Sequence, residues 1–271
     1  MTDNDPLREQ IRSVLDDLRA SLAFLTIIPG SALGEAAGAK PDFKRGAQVF
    51  PIVGALIGLA GGAVLVLAVA LDVPAVVSAA LAVTAIVLLT GALHEDGLDD
   101  TADGFGGGAT SERKLEIMDD SAVGAYGATA LVLALLLRVV TLAVLVPSGG
   151  VRAAAVLLAA EAASRAAMVR LWHELPAARP GALGHAAEGT GPPDSQAMLT
   201  ALIVAAVIVV FAVMPTFGFW ATLAAAALTI AVAFAFARLT ALQIGGRTGD
   251  TLGACQQVTA VAFLVGVTPF A

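Results

Sequence analysis

One acidic segment of the chain carries residue types that could bind a cation. Four aspartates recur at helical spacing, at Asp96, Asp99, Asp100 and Asp103. At about 100° per residue, their side chains fall within roughly one third of the circumference of a helix. Like charges three and four residues apart repel each other, so this shared face favours a bound cation. A solvated acidic helix face is the alternative interpretation.

The ligands available on this face are carboxylate oxygens. The chain contains one cysteine, Cys255, so neither an internal disulfide nor a thiolate metal cluster can form. Hard oxygen ligands favour Mg²⁺, Mn²⁺ or Ca²⁺, and the spacing differs from that of an EF-hand loop. Magnesium held by carboxylates usually accompanies a phosphorylated substrate, so we expect Mg²⁺ and phosphoryl chemistry.

Two neighbouring segments contain residue types that could hold phosphate. The glycine run after the aspartates includes Gly104 and Gly106. Glycines let backbone amides approach an anion, although a flexible turn explains the run equally well. A later glycine-rich segment contributes Arg247, Thr248 and Asp250, which suit a phosphate or a nucleotide better than a plain helix–helix turn.

Two further residues have both a functional and a structural interpretation. Arg165 lies inside an apolar segment, where a charge is costly and therefore a candidate for function. Glu161, four residues earlier, could instead neutralise it. His94 lies on the helix face opposite Asp100. This position is compatible with a catalytic role and equally with a packing role.

The elements that carry these residues are predicted to be membrane-spanning helices. Of the 271 residues, 58% are hydrophobic and 14% are charged, whereas soluble domains contain about 25% charged residues. A span needs about 20 mostly apolar residues. Seven segments meet this description, with a turn near residues 214–218 between the fifth and the sixth: 50–71, 74–93, 125–146, 152–171, 196–214, 218–239 and 255–270.

The predicted fold is an all-α polytopic bundle that forms one domain over residues 1–271. Residues 1–49 form a cytoplasmic and interfacial segment, and residues 50–271 form the transmembrane bundle. Within the first segment, residues 7–28 place leucines at helical spacing between charged residues. This pattern predicts a helix at the membrane surface or, equally well, a helix that packs against the rest of the protein.

Small residues predict where two helices approach closely. Gly54, Gly58 and Gly62 are spaced by four residues and therefore form one stripe on a helix. Such stripes let helices pack closely in lipid. The contact could lie within the chain or between copies in a homo-oligomer.

The distribution of charge predicts the orientation in the membrane. The net charge of −7 makes nucleic acid an unexpected partner. Lys and Arg concentrate in cytoplasmic loops. If residues 1–49 are cytoplasmic, the alternation of the spans makes three further segments cytoplasmic, namely 94–124, 172–195 and 240–254. Arg152 is then the one basic residue near the outer loops. We therefore expect the chemistry on the cytoplasmic face of a bacterial inner membrane.

A series of short motifs runs along almost the whole chain. They are Phe24-Leu25-Thr26, Phe50-Pro51, His94 to Gly104, Glu116 to Ser121, Gly124-Ala125-Tyr126-Gly127, Gly181 with Leu183-Gly184, and Gly245 to Ala254. In type and order, they resemble the cobalamin synthase family (the adenosylcobinamide-GDP ribazoletransferases). The resemblance implies a magnesium-dependent integral membrane enzyme. It would join adenosylcobinamide-GDP to α-ribazole or its 5′-phosphate and release GMP.

The resemblance also implies roles for individual residues. The family's acidic motif carries over onto Asp96, Asp100 and Asp103 as Mg²⁺ ligands, and Asp99 is an additional acid. We expect Asp100 to be essential for catalysis. Mg²⁺ on these acids would neutralise the pyrophosphate as the ribazole 5′-hydroxyl attacks the phosphorus on the cobinamide arm.

Proton transfer and phosphate binding need further residues. Asp103 or Asp120 would accept the hydroxyl proton, with His94 as the reserve candidate. Arg247, and with it Arg165, would hold phosphate oxygens.

The chain departs from the family pattern at four positions. The family usually has a basic residue at the position of Asp119 and often another at Ala122. It also tends to have glutamates at the positions of Gln257 and Ala260. Roles in phosphate or metal binding are therefore not carried over to these residues.

Two other functions remain as alternatives. A CDP-alcohol phosphotransferase also uses clustered aspartates at a membrane surface. Its motif continues from Asp-Gly to Ala-Arg, whereas Asp96-Gly97 is followed here by Leu98-Asp99-Asp100. A divalent-cation transporter would place its acids near the middle of the bilayer, whereas these acids begin at a predicted helix end.

Overall fold

The computed structural model describes residues 6–34, 42–179 and 191–271. Over these ranges the chain is helical and contains no β-strand, which confirms the all-α prediction. Gly181, Leu183 and Gly184, part of the motif series, lie outside the described residues. The helices run in this order: α1 Pro6–Leu25, α2 Phe43–Gly46, α3 Phe50–Ala70, α4 Ala75–Thr90, α5 Leu93–Gly107, α6 Ser111–Met118, α7 Ala125–Leu145, α8 Gly150–Glu174, α9 Ser195–Ile244 and α10 Gly249–Val267.

The described helices are those of a membrane protein. Four helical segments are long and apolar enough to cross a membrane, namely α7, α9, α10 and the segment Phe43–Ala70, which contains α2 and α3. Helices α4 and α5 together form a fifth candidate, bent by 89°. The count of seven spans is not confirmed. The predicted count treats the two halves of α9 as separate spans and also includes α8, which carries several charged residues.

A sharp kink divides α9 at the predicted turn. Gly218 has a φ of 86°, which lies outside the helical region, and Pro215 lies in the preceding turn. Proline cannot donate the helical hydrogen bond, and glycine adopts a positive φ without a steric cost. The predicted break between residues 214 and 218 is therefore confirmed, although the helix resumes directly after it.

The glycine stripe on α3 packs against α8. A Cβ atom on Gly58 would lie 2.6 Å from the Cα of Leu158, and one on Gly62 would lie 3.0 Å from the Cβ of Ala154. A Cβ atom on Gly54 would collide with the carbonyl oxygen of Glu161. The predicted close contact is therefore confirmed, and it lies within the chain.

The four polar segments predicted to share one face meet at one end of the bundle. Each is joined to another by a direct contact within the described residues. The contacts are the Asp194 N–H with the Lys44 carbonyl (2.9 Å), the Arg247 N–H with the Pro176 carbonyl (2.8 Å), the Arg179–Asp119 ion pair, and the backbone approach of Gly97 to Asp250. Their assembly brings the acidic segment next to the start of α10.

The α3–α8 contact gives a test of the packing. Gly58→Ala should lower the melting temperature in detergent, because the new methyl group must displace the backbone of α8, at a cost of about 1–3 kcal/mol. Gly150→Ala is the matched control, since its Cβ would make only ordinary contacts with Val69, at 3.4 Å. Equal melting temperatures for the two variants would contradict this account.

Candidate active site

Helix α5 carries the four aspartates across the end of the bundle. Gly91 and Ala92 both have positive φ values, 62° and 58°, and together they turn the chain between α4 and α5. The two helix axes differ by 89°. If α4 crosses the membrane, α5 therefore lies close to the membrane plane, outside the membrane-spanning segments.

One side of the acidic face lies against the start of α7. Asp103 is 8% exposed, and its carboxylate accepts hydrogen bonds from the backbone N–H groups of Gly124 (2.6 Å) and Gly127 (2.9 Å). The first N–H groups of a helix have no partner within the helix and favour negative charge. Asp103 therefore has a fixed orientation at the N-terminus of α7.

Asp99 lies beside Asp103 and is 5% exposed. Its Oδ1 is so close to the backbone that a side chain at Gly127 would collide with it. This oxygen has no hydrogen-bond partner in the described structure. Buried carboxylate oxygens are costly without a partner, so this atom favours a cation at the site.

The other side of the face turns towards α10. Asp96 is exposed and Asp100 is half-buried. A Cβ atom on Gly97 would lie 2.7 Å from the carbonyl oxygen of Asp250, so the two backbones are in contact. Burial, followed by the charges of Asp250 and the other aspartates of the face, raises the pKa of Asp100 to about 7. The carboxylates are thus close enough to oppose each other's ionisation.

These side chains do not form a complete metal site by themselves. In the parts of the chain that the structure describes, no group of three or more His, Cys, Asp and Glu residues is arranged to hold an ion. Magnesium, however, commonly takes one or two carboxylates, with water and substrate phosphates as its other ligands. The unpartnered Asp99 oxygen and the crowded carboxylates fit a cation of that kind.

The glycine run differs from the predicted anion-binding loop. Gly104 and Gly106 both lie inside α5, where helical hydrogen bonds occupy the backbone amides. A Cβ atom on Gly104 would lie 2.5 Å from the Cγ of Met118, and one on Gly106 would lie 2.5 Å from the ring of Tyr126. The structure therefore favours close packing over a phosphate cradle as the role of these glycines.

Arg247, Thr248 and Asp250 form the start of α10. The hydroxyl of Thr248 caps the helix by accepting a hydrogen bond from the Thr251 N–H, at 3.2 Å. Arg247 is 3% exposed, and its Nε donates to the carbonyl of Trp172 at 2.9 Å. Burial lowers its pKa to about 10. Its Nη1 is buried and has no hydrogen-bond partner in the described structure.

The structure favours the structural interpretation of both His94 and Arg165. His94 is buried where α5 crosses α10, and a Cβ atom on Gly253 would lie 3.2 Å from its Cα. Arg165 is buried in an ion pair with Glu161, and it also contacts Ser164 rather than the aspartates. Neither side chain is brought to the acidic face.

The loop between α6 and α7 contains Asp119 and Asp120. Asp119 forms an ion pair with Arg179. The family usually has a basic residue at the position of Asp119, and here Arg179 brings a positive charge to this position from another segment. Asp120 is exposed, and its Oδ1 accepts a hydrogen bond from the Ala122 N–H at 3.2 Å. Asp120 therefore stays accessible four residues before Gly124.

Arg138 is the main feature that the sequence analysis did not identify as functional. It is 0% exposed, and its guanidinium donates to Glu95 (3.0 Å), Gln257 (3.2 Å) and Glu161 (2.7 Å). Gln257, one of the departures from the family pattern, also donates to Glu95 at 2.9 Å. The available signal was that Arg138 is the one charged residue between positions 121 and 151.

The fold and the site define a class of protein, a helical membrane protein with an acidic site at one end of its bundle. Comparison with known families identifies the group within that class. The family model described as CobS, cobalamin-5-phosphate synthase, matches residues 17–268. The chain belongs to this family.

Curated relatives match over nearly their whole length. A protein of Azorhizobium caulinodans is 49% identical over 259 residues, which cover 95% of this chain and 97% of the relative. Proteins of Brucella anthropi and Brucella melitensis are 40% and 39% identical, with 95% of this chain and 98% of each relative covered. All three are named adenosylcobinamide-GDP ribazoletransferase. No solved structure matches the chain.

The buried charges give a second prediction, on stability. Glu161→Gln should cost about 3–5 kcal/mol of unfolding free energy in detergent, because it leaves buried arginines without a full counter-charge. Glu174→Gln is the matched control, since Glu174 is exposed and pairs with the half-buried Arg170 at the same spacing on the same helix. That change should cost less than about 1 kcal/mol. Similar losses would show that the buried pair contributes no more than a surface pair.

Proposed function

We propose that the chain transfers the adenosylcobinamide-phosphate group of adenosylcobinamide-GDP to α-ribazole or its 5′-phosphate and releases GMP. The observation that carries the proposal is the row of four aspartates held between the start of α7 and the start of α10. Membership of the CobS family favours this reaction over a CDP-alcohol phosphotransferase or a cation transporter. The names of the curated relatives support the same choice of substrates.

The reaction replaces the phosphoanhydride bond of the pyrophosphate with a phosphate ester to ribazole. The ribazole 5′-hydroxyl attacks the phosphorus that carries the cobinamide arm, and the bond from that phosphorus to the oxygen of GMP breaks. Magnesium, when bound, would neutralise charge on the pyrophosphate oxygens. Asp96, Asp99, Asp100 and Asp103 are the residues that would hold it.

The contacts of the individual acids separate their proposed roles. Asp103 already accepts two backbone hydrogen bonds, which suit a fixed ligand better than a group that must pick up a proton. Asp120 is exposed in the loop before α7 and is the better candidate for the base. His94 and Arg165, both buried, do not take part.

Arg247 is the proposed phosphate contact. Its free Nη1 lies at the start of α10, close along the chain to Asp250, which approaches Gly97 of α5. A guanidinium held by a backbone carbonyl keeps its remaining donors in a defined direction, which suits recognition of phosphate oxygens.

We place this end of the bundle on the cytoplasmic side of a bacterial inner membrane. The basic residues Lys44 and Arg45 belong to the first of the polar segments that meet here, and Arg179 and Arg247 belong to two others. This agrees with the enrichment of Lys and Arg in cytoplasmic loops. With α4 placed across the membrane, α5 lies close to the membrane plane, and a large, partly apolar corrinoid could reach it from the membrane interface.

The proposed role of Asp100 can be tested by substitution. Asp100→Asn should reduce GMP release in reconstituted vesicles by about 100-fold or more, because a neutral amide cannot replace the carboxylate on the cation. Glu112→Gln removes an exposed acid on the neighbouring helix α6 and should leave the rate unchanged. An active, folded Asp100→Asn protein would remove Asp100 from the catalytic site.

The raised pKa of Asp100 predicts how pH and magnesium act on stability. In the folded protein the Asp100 carboxyl keeps its proton up to about pH 7, whereas the ordinary pKa of an aspartate is 3.8. The folded state therefore binds more protons between these values, and stability falls as pH rises through them. Mg²⁺ should raise the melting temperature more at pH 8 than at pH 5.5, because protons compete for the carboxylate at low pH. The difference should disappear in Asp100→Asn.

A further inference from the structure

Helices α5 and α7 run side by side in opposite directions along one stripe of acids. Glu95, Asp99 and Asp103 are spaced by four residues, so each side chain is turned by only about 40° from the previous one. Glu95 contacts Arg138 late in α7, whereas Asp103 contacts the backbone of Gly124 and Gly127 at its start. The acidic helix is thus held at both ends of this stripe.

The end held by Arg138 is connected to the rest of the bundle. Arg138 joins Glu95 of α5 to Glu161 of α8 and to Gln257 of α10. Gln256 extends the network by donating to Ser164 at 3.0 Å. Four helices therefore meet at one guanidinium.

The rotation of α5 about its axis decides which acids reach the site. Asp99 and Asp103 lie against the start of α7 in the same rotation that directs Glu95 at Arg138. The same rotation leaves Asp96 and Asp100 on the side that faces α10. Rotation of α5 would carry its four carboxylates together away from the starts of α7 and α10, because all four belong to one helix.

We propose that Arg138 is a positioning residue for the reaction, which fixes the rotation of α5 so that its aspartates face the starts of α7 and α10. It acts through Glu95 and touches neither the substrates nor the cation. This inference rests on the proposed function, because it takes the acidic face as the catalytic site.

The charge of Arg138 distinguishes this role from an electrostatic one. A positive charge near the site weakens cation binding, so its removal without any movement of α5 should strengthen binding of Mg²⁺. Loss of positioning should weaken it. The two effects have opposite signs, and a purely structural role would change stability without changing affinity for the metal.

The test measures Mg²⁺ binding without substrates, as the Mg²⁺ concentration that gives half of the maximal rise in melting temperature in detergent. Arg138→Gln should raise this concentration by about 10-fold, as loss of an outer-shell partner typically does. Arg165→Gln is the matched control, because it removes an equally buried arginine from the same network but one that pairs within α8. It should destabilise the protein and leave the half-saturating concentration within about twofold of the original.

A conservative variant covers the case in which Arg138→Gln does not fold. Arg138→Lys keeps the charge, but one ammonium cannot span Glu95, Gln257 and Glu161 together. It should raise the half-saturating concentration by about threefold or more, with a matching increase in the magnesium requirement for GMP release. An unchanged or lower concentration in either Arg138 variant, or an equal rise in Arg165→Gln, overturns the proposal.

The same measurement separates this inference from the proposed function. If Asp100→Asn binds Mg²⁺ as the unaltered protein does, the acidic face is not the metal site and both proposals fail. If Asp100→Asn loses Mg²⁺ binding while the Arg138 variants keep it, the site stands and only the positioning role is overturned.

Discussion

The rest of the structure depends on how the buried positive charge of Arg138 is neutralised inside the bundle. A buried charge without a partner costs several kcal/mol, and a pair recovers that cost only if its geometry is good. The partners of this arginine are Glu95, Glu161 and Gln257, which belong to three helices other than its own. The packing of α5, α7, α8 and α10 is therefore constrained by one requirement. No two of these helices can move apart without leaving a charge or an amide unpaired in an apolar region.

Close backbone contacts make this compensation possible. Side chains of ordinary length can bridge helices only if their axes are near each other, and glycines set that distance on both sides of the network. Gly54 brings α3 against Glu161, while Gly97 and Gly253 bring α5 against α10. In lipid, helix association is driven by packing and polar contacts rather than by the removal of apolar surface from water. Glycines and buried charges thus act together here.

The parts of the fold that were predictable from the sequence are those fixed by local patterns. The break in α9 follows from Pro215 and Gly218, the α3 stripe from glycines spaced by four, and the acidic face from aspartates within one helix. The partners of Arg138 lie between 23 and 119 residues away along the chain, and spacing carries no information about them. The helix that runs through Gly104 and Gly106 was not predictable from their low intrinsic preference for helix, because the close contacts with Met118 and Tyr126 come from other segments.

The acidic face has two sides with different solvation, and this division is itself a constraint on the chemistry. Asp99 and Asp103 are buried against the start of α7, and two backbone N–H groups hold the carboxylate of Asp103 there. Asp96 and Asp100 remain open towards α10, where Arg247 has an unused donor. In the proposed reaction, a pyrophosphate bound on the open side would exchange water for a cation, while Asp103 would keep its two backbone hydrogen bonds. A site held in this way would stabilise charge with little reorganisation at the moment of reaction, which is the condition under which fixed electrostatic groups contribute most to catalysis.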